Sequence, residues 1–234
     1  MVAKDRMPEL DFLRGFTLIV MIFWHLGWDL AAYYGFPFDY YSGWIYWLGQ
    51  GIAITFMTLA GISSIFTRNH QKRAAKVLLY AFIITVATYI FDPETVILFG
   101  ILHFMGVNML LYPYYKNWHP IVLVGLATGV FALGLYFIDL DMGTNLLLPL
   151  GLRSFSYSSL DYYPLAPYAA FFILGALVGP LLYPKGEPRL SFNIPSNPVN
   201  FVGKHTLIIY VLHQPVILAV LTVLAALGIL HNQV

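Results

Sequence analysis

A histidine and an aspartate one helical turn apart, His25 and Asp29, stand in an apolar run that opens just after Asp11 and Arg14. Two more histidines, His103 and His213, stand in apolar runs further along the chain. Imidazole changes charge near neutral pH and is the commonest general acid or base. A carboxylate at i+4 shares its helix face and can orient it through a hydrogen bond. Ionisable groups within a bilayer cost roughly 2.5–3.5 kcal/mol each on insertion scales, so they mark sites and pathways. The chemistry expected here is proton removal from a nucleophile. His25 is read as the base, Asp29 as its hydrogen-bond partner, and His103 and His213 as groups that position a reactant or stabilise a developing oxyanion. His70, His119, His205 and His231 fall in loops, at a helix base or at the terminus and are read as ordinary.

The elements that hold these residues follow from composition. The chain has 234 residues, 59% hydrophobic and 10% charged, with a mean hydropathy of +0.74. Soluble domains carry about 25% charge. The reading is an all-α polytopic membrane bundle, a single domain over residues 1–234. A net charge of +1 gives no sign of a nucleic-acid partner. The absence of cysteine excludes disulfides, thiolate metal sites and a cysteine nucleophile. The first apolar run is long enough to span and is not read as a cleavable signal peptide.

Seven spans are expected near residues 12–34, 44–66, 74–91, 96–112, 120–138, 164–183 and 205–230. Gly35 should end the first, Asp92-Pro93-Glu94 should turn between the third and fourth, Tyr112-Pro113 should end the fourth, and Pro120 should open the fifth. Lys4, Arg6, Arg14, Arg68, Lys72, Arg73, Lys76, Lys116, Lys185, Arg189 and Lys204 then fall on one side. Asp39, Asp92, Glu94, Asp139, Asp141 and Asp161, with Arg153, fall on the other. The positive-inside rule makes the N-terminus cytoplasmic and the C-terminus external. At helical rise His25 sits roughly 20 Å above the inner end of its span and His103 roughly 10 Å below the outer surface, so the two share a depth. Pro215 should kink the last helix near His213 and release backbone carbonyls.

Arg14 lies inside the apolar run beside Gly15; guanidinium suits phosphate, although pairing with Asp11 accounts for it equally well. Arg68, Lys72, Arg73 and Lys204 are candidates for the same anion site. Gln50 and Asn108 could line the interior. The loop of residues 139–163 has an apolar piece at 146–152 that could dip into the membrane, and a polar aromatic half with Arg153 and Asp161 suited to a sugar-like ligand. The loop of residues 184–204, rich in Pro, Asn and Ser, reads as irregular. An exposed small-residue face could support a homodimer.

Leu10-Asp11-Phe12-Leu13-Arg14-Gly15 with Met21 and His25 resembles the opening of the heparan-alpha-glucosaminide N-acetyltransferase catalytic-domain family. Phe99-Gly100-Ile101-Leu102-His103, Asp161-Tyr162-Tyr163-Pro164-Leu165 with Leu174-Gly175, and Ile209-Tyr210-Val211-Leu212-His213-Gln214-Pro215 resemble three further blocks, in family order. The Arg14-to-His25 spacing is also similar to the wider membrane acyltransferases, including acyltransferase-3 type proteins. The resemblance implies an acetyl-CoA donor entering from the cytoplasm, with Arg14, Arg68, Lys72, Arg73 and Lys204 at its phosphates. It implies delivery of the acyl group to an amine or hydroxyl of a polar acceptor met by Arg153, Asp161, Gln50 and Asn108. It implies no metal. Two other classes remain open on the residues alone. One is a seven-helix zinc-dependent hydrolase, although no HxxxH pair is present. The other is a proton-coupled transporter using the same His/Asp set, although no inverted repeat is visible.

Overall fold

The computed structural model describes residues 7–189 and 197–231. Lys4, Arg6 and the side chain of Lys185 lie outside the described residues. The described residues form eight α-helices in order: α1 Pro8–Tyr34, α2 Gly43–Ser64, α3 His70–Phe91, α4 Ile101–Tyr115, α5 Pro120–Phe137, α6 Leu165–Leu182, α7 Pro198–Lys204 and α8 Thr206–Ala226. Among the described residues there is no strand, and one isolated bridge joins Asp141 and Arg153. Six helices among the described residues are long and apolar enough to cross a membrane: α1, α2, α3, α5, α6 and α8. Their outward faces carry large apolar side chains, with Ile90 77% and Ile121 73% exposed, which suits lipid and not water. The chain is a multi-pass membrane protein with a helical-bundle fold.

The helix ends follow local rules. Pro8 opens α1, Glu9 and Asp11 sit in its positive first turn, and Gly35 closes it in the left-handed conformation at φ 70°. Asn69 caps α3 by accepting from the Lys72 N–H at 2.8 Å. Pro120 opens α5 behind His119. Asp92 turns the chain between α3 and α4, accepting from the Glu94 N–H at 3.0 Å and the Thr95 hydroxyl at 2.6 Å.

Three expectations need correction, two at the ends of α4 and one in the loop of residues 184–204. α4 starts at Ile101, after a 3₁₀ turn at Pro93–Thr95, and has 15 residues. It also runs through Pro113 to Tyr115 instead of stopping before it. The apolar piece at 146–152 forms one 3₁₀ turn, Leu148–Leu150, in which Leu148 is buried. The stretch read as irregular contains α7, where Asn197 accepts from the Asn200 N–H at 2.9 Å and Pro198 takes the first helical position.

The chain forms two compact units, residues 1–56 with 192–234, and residues 57–191. In the first unit α7 packs backbone-to-backbone on α1. A Cβ on Gly15 would overlap the Val199 carbonyl, and one on Gly203 would overlap the Asp11 carbonyl. Asn200 adds a hydrogen bond from Nδ2 to the Pro8 carbonyl at 3.0 Å. In the second unit the end of α2 meets α6 the same way, with Gly61 against the Phe172 carbonyl and Gly175 against the Thr58 carbonyl. Small residues let helices approach closely where lipid gives little hydrophobic drive for association.

Candidate active site

The first unit brings together His25 and Asp29 from α1 with His213 and Gln214 from α8. The His25 and His213 ring centroids are 5.0 Å apart, with ring planes at 58°. Asp29 is fully buried. Both its oxygens accept from Gln214 Nε2, each at 2.9 Å. The expected hydrogen bond between Asp29 and His25 is therefore replaced: the carboxylate is engaged by an amide from another helix. His25 is held by ring contacts, with His213 and edge-on with Trp24 at 5.2 Å, and forms no side-chain hydrogen bond among the described residues.

His213 Nδ1 contacts the carbonyl of Tyr210 in the preceding turn of α8. A carbonyl only accepts, so Nδ1 carries a proton and neutral His213 keeps its lone pair on Nε2. That Nε2 and the Oε1 of Gln214 are buried without a hydrogen-bond partner. α8 continues through Pro215, which cannot donate to the Val211 carbonyl one turn back.

Trp24 and Tyr40 wall this cluster. Trp24 donates from Nε1 to the Ile45 carbonyl at 3.0 Å, and its indole occupies the space a side chain at Gly49 would fill. Tyr40 packs edge-on against Trp24 at 5.0 Å, with its hydroxyl where a Cβ on Gly27 would sit. Burial, and secondarily the Asp29 carboxylate, push the Tyr40 phenol above its ordinary pKa.

The other predicted residues do different work. His103 belongs to the second unit and lies in the first turn of α4, nearer the helix end than a start at residue 96 implies. Its Nδ1 accepts from the Gly100 N–H at 3.2 Å, and its Nε2 lies 3.2 Å from the Thr85 hydroxyl. Thr85 donates to the Ile97 carbonyl at 2.6 Å, so it accepts from His103 Nε2. Both nitrogens of this imidazole are engaged in bracing the start of α4. Asp161 accepts from the Ile101 N–H at 2.9 Å and so caps the same helix. Asn108 is buried and donates to the Phe104 carbonyl at 2.9 Å. Gln50, half-buried on α2, belongs to the first unit.

Arg153 donates to the Tyr157 carbonyl at 2.9 Å and its guanidinium lies 5.7 Å from the centre of the Tyr162 ring. Burial holds the Tyr162 phenol up at about 12, with Arg153 acting in the opposite direction. Arg14 Nη1 pairs with Asp11 Oδ1 at 2.7 Å, while Lys204 is exposed in the last turn of α7. Arg68, Lys72 and Arg73 lie at the α2–α3 turn of the second unit, where Arg73 donates to the Thr67 hydroxyl at 2.7 Å. Among the described residues no group of three or more His, Asp or Glu is arranged to hold a metal ion.

Gln214 is the site residue that residue types did not single out. Its signal was position, next to His213 and before a helix-interior proline. No curated protein and no solved structure matches the chain. The family model described as heparan-alpha-glucosaminide N-acetyltransferase, catalytic, matches residues 6–215, a stretch that runs from before α1 through His213, Gln214 and Pro215. By that match over most of its length, this membrane protein belongs to the heparan-alpha-glucosaminide N-acetyltransferase catalytic family.

Proposed function

We propose that the protein is a membrane acetyltransferase. It moves an acetyl group from cytoplasmic acetyl-CoA to an amine or hydroxyl of a sugar-like or other polar acceptor. The family name points to an N-acetyltransferase. The observation that carries the reading is the cluster of His25, His213 and Gln214 around the buried carboxylate of Asp29. It holds a buried ring nitrogen without a protein partner, on a chain of that family.

A thioester is already an activated electrophile. The protein must hold it, exclude bulk water and remove a proton from the attacking group. An intramembrane imidazole is suited to that proton transfer, or to carrying the acyl group as a short-lived acyl-imidazole. Arg14 and Lys204 are proposed as phosphate contacts of the donor. Charge-assisted hydrogen bonds from guanidinium to phosphate are among the stronger polar contacts. The polar aromatic loop with Arg153 and Asp161, together with Asn108 of the same unit, is proposed for the acceptor. The N-terminus is proposed to be cytoplasmic, on the distribution of Lys and Arg.

The test is thermal stabilisation of the detergent-solubilised protein by acetyl-CoA, by free CoA and by Zn²⁺. Stabilisation by acetyl-CoA and CoA, with none by zinc, is expected. Stabilisation by zinc alone would return the protein to the hydrolase reading. Orientation is checked by single cysteines introduced at Lys76 and Glu94, which the cysteine-free sequence makes unambiguous to label from either side.

A further inference from the structure

Three half-buried histidines, His25, His103 and His213, differ in what their nitrogens do. His103 uses both, accepting from the Gly100 N–H and meeting the Thr85 hydroxyl. It has no lone pair left for a substrate. His25 has ring neighbours and no side-chain hydrogen bond, so nothing fixes which of its nitrogens bears the proton. His213 is fixed. Its Nδ1 donates to the Tyr210 carbonyl, which leaves Nε2 as a bare acceptor, buried and without a partner. Beside it in sequence, Gln214 has both Asp29 oxygens on its amide nitrogen, so its Oε1 is a second buried acceptor without a partner. Burying an unsatisfied acceptor costs about 1–3 kcal/mol. Two of them, on adjacent residues, are what a site for an N–H or O–H donor requires.

We propose that His213, through Nε2, takes the proton of the attacking amine or hydroxyl, and that His25 is its ring neighbour and not the base. The proposal rests on the acetyl-transfer reading. The nucleophile's lone pair forms a bond to the acetyl carbonyl carbon as its proton moves to His213 Nε2. The carbon–sulfur bond then breaks and its electron pair leaves on sulfur. The proton passes from His213 to the thiolate, giving CoA thiol and the neutral enzyme. Gln214 Oε1 offers an acceptor for a second hydrogen of an amine. The Asp29 carboxylate holds that amide in the orientation that keeps Oε1 exposed to substrate.

The experiment measures CoA thiol release from acetyl-CoA, with glucosamine as the probe acceptor and water as background. The chain has no cysteine, so every thiol detected is product. His213→Asn retains an amide that can donate to the Tyr210 carbonyl and removes Nε2. It is expected to keep its melting temperature and acetyl-CoA stabilisation, and to lose about 10²–10⁴-fold in kcat, with partial rescue by added imidazole. His25→Asn is expected to lose less. A second measurement needs no turnover: the ¹⁵N spectrum of histidine-labelled protein should show an unprotonated Nε2 that vanishes in His213→Asn. Undiminished thiol release by a folded His213→Asn overturns the proposal, as does a larger loss in His25→Asn or an Nε2-protonated His213. Should wild type neither bind acetyl-CoA nor release thiol while the ¹⁵N spectrum is as stated, the acetyl-transfer reading itself fails and takes the proposal with it.

Discussion

Gln214 Nε2 lies 2.9 Å from each oxygen of Asp29, joining α8 to α1 through a fully buried carboxylate. Hydrogen bonds to charged groups contribute about 1.5–3 kcal/mol, and stranding one partner in an apolar setting costs more than removing both. Gln214→Leu and Asp29→Leu are each expected to lower stability by about 2 kcal/mol. The double variant should lose clearly less than their sum. Denaturant unfolding in mixed micelles gives the cycle. Additive losses would show that the two side chains are not coupled.

The contact between α1 and α7 is backbone on backbone. A methyl at Gly15 or Gly203 meets a carbonyl that no side-chain rotation can move. Gly15→Ala and Gly203→Ala should each cost about 1–3 kcal/mol, the range for overpacking. Gly125→Ala in α5 meets nothing within 4 Å and serves as the control. It should be neutral or stabilising by up to about 1 kcal/mol, because alanine is the better helix former. Melting temperatures of the three proteins decide it.

Asp161 has two roles to separate. As the cap of α4 it should be worth about 1 kcal/mol, rising towards 2, and Asp161→Ala should show that as a lowered melting temperature. Asp161→Asn keeps an acceptor for the Ile101 N–H and should be nearly as stable as wild type. A raised KM for the acceptor in Asp161→Asn, with stability intact, would give the residue a part in binding as well.

Tyr162 makes the loop of residues 139–163 sensitive to alkali. Burial first, opposed by the Arg153 cation, holds its phenol at about 12, while an unfolded chain would ionise near 10. The unfolded state therefore loses this proton first. The contribution is complete below pH 10 and is lost as pH rises to about 12. Tyr162→Phe should flatten the alkaline side of the stability profile, at the expense of the hydrogen bond to the Leu148 carbonyl at 2.9 Å. Arg153→Gln should push the phenol higher still, measurable by ultraviolet titration.

Much of this fold could be read in one dimension because membrane helices must satisfy their own backbone. Apolar length located α1, α2, α3, α5, α6 and α8, and Gly35, Asp92 and Pro120 marked turns where local chemistry dictates them. α7 escaped because seven residues carry no usable period and are held on a helix far away in sequence through one glycine from each, Gly15 of α1 and Gly203 of α7. Asn197 before Pro198 was the trace it left. The site was half legible. His25, Asp29 and His213 announced themselves as ionisable groups in apolar runs. Sequence spacing proposed Asp29 for His25, since i and i+4 share a face, whereas the carboxylate goes to Gln214 on another helix. Helix periodicity finds partners within a helix and says nothing about those across one. The tautomers of His103 and His213 depend on carbonyls and hydroxyls that only folding brings near.

The first unit is assembled from two stretches with the second inserted between them, and its Asn200–Pro8 hydrogen bond joins residues 192 apart. A ribosome therefore delivers α1, with its buried aspartate, long before the amide that accompanies it exists. During that interval Asp29 must be sheltered by the insertion machinery, by water or by a proton. A nascent chain halted before α7 would hold the second unit entire and α1 without α7 and α8. Supplying α7 and α8 as a separate polypeptide should then rescue it, with complementation of two co-expressed fragments as the readout.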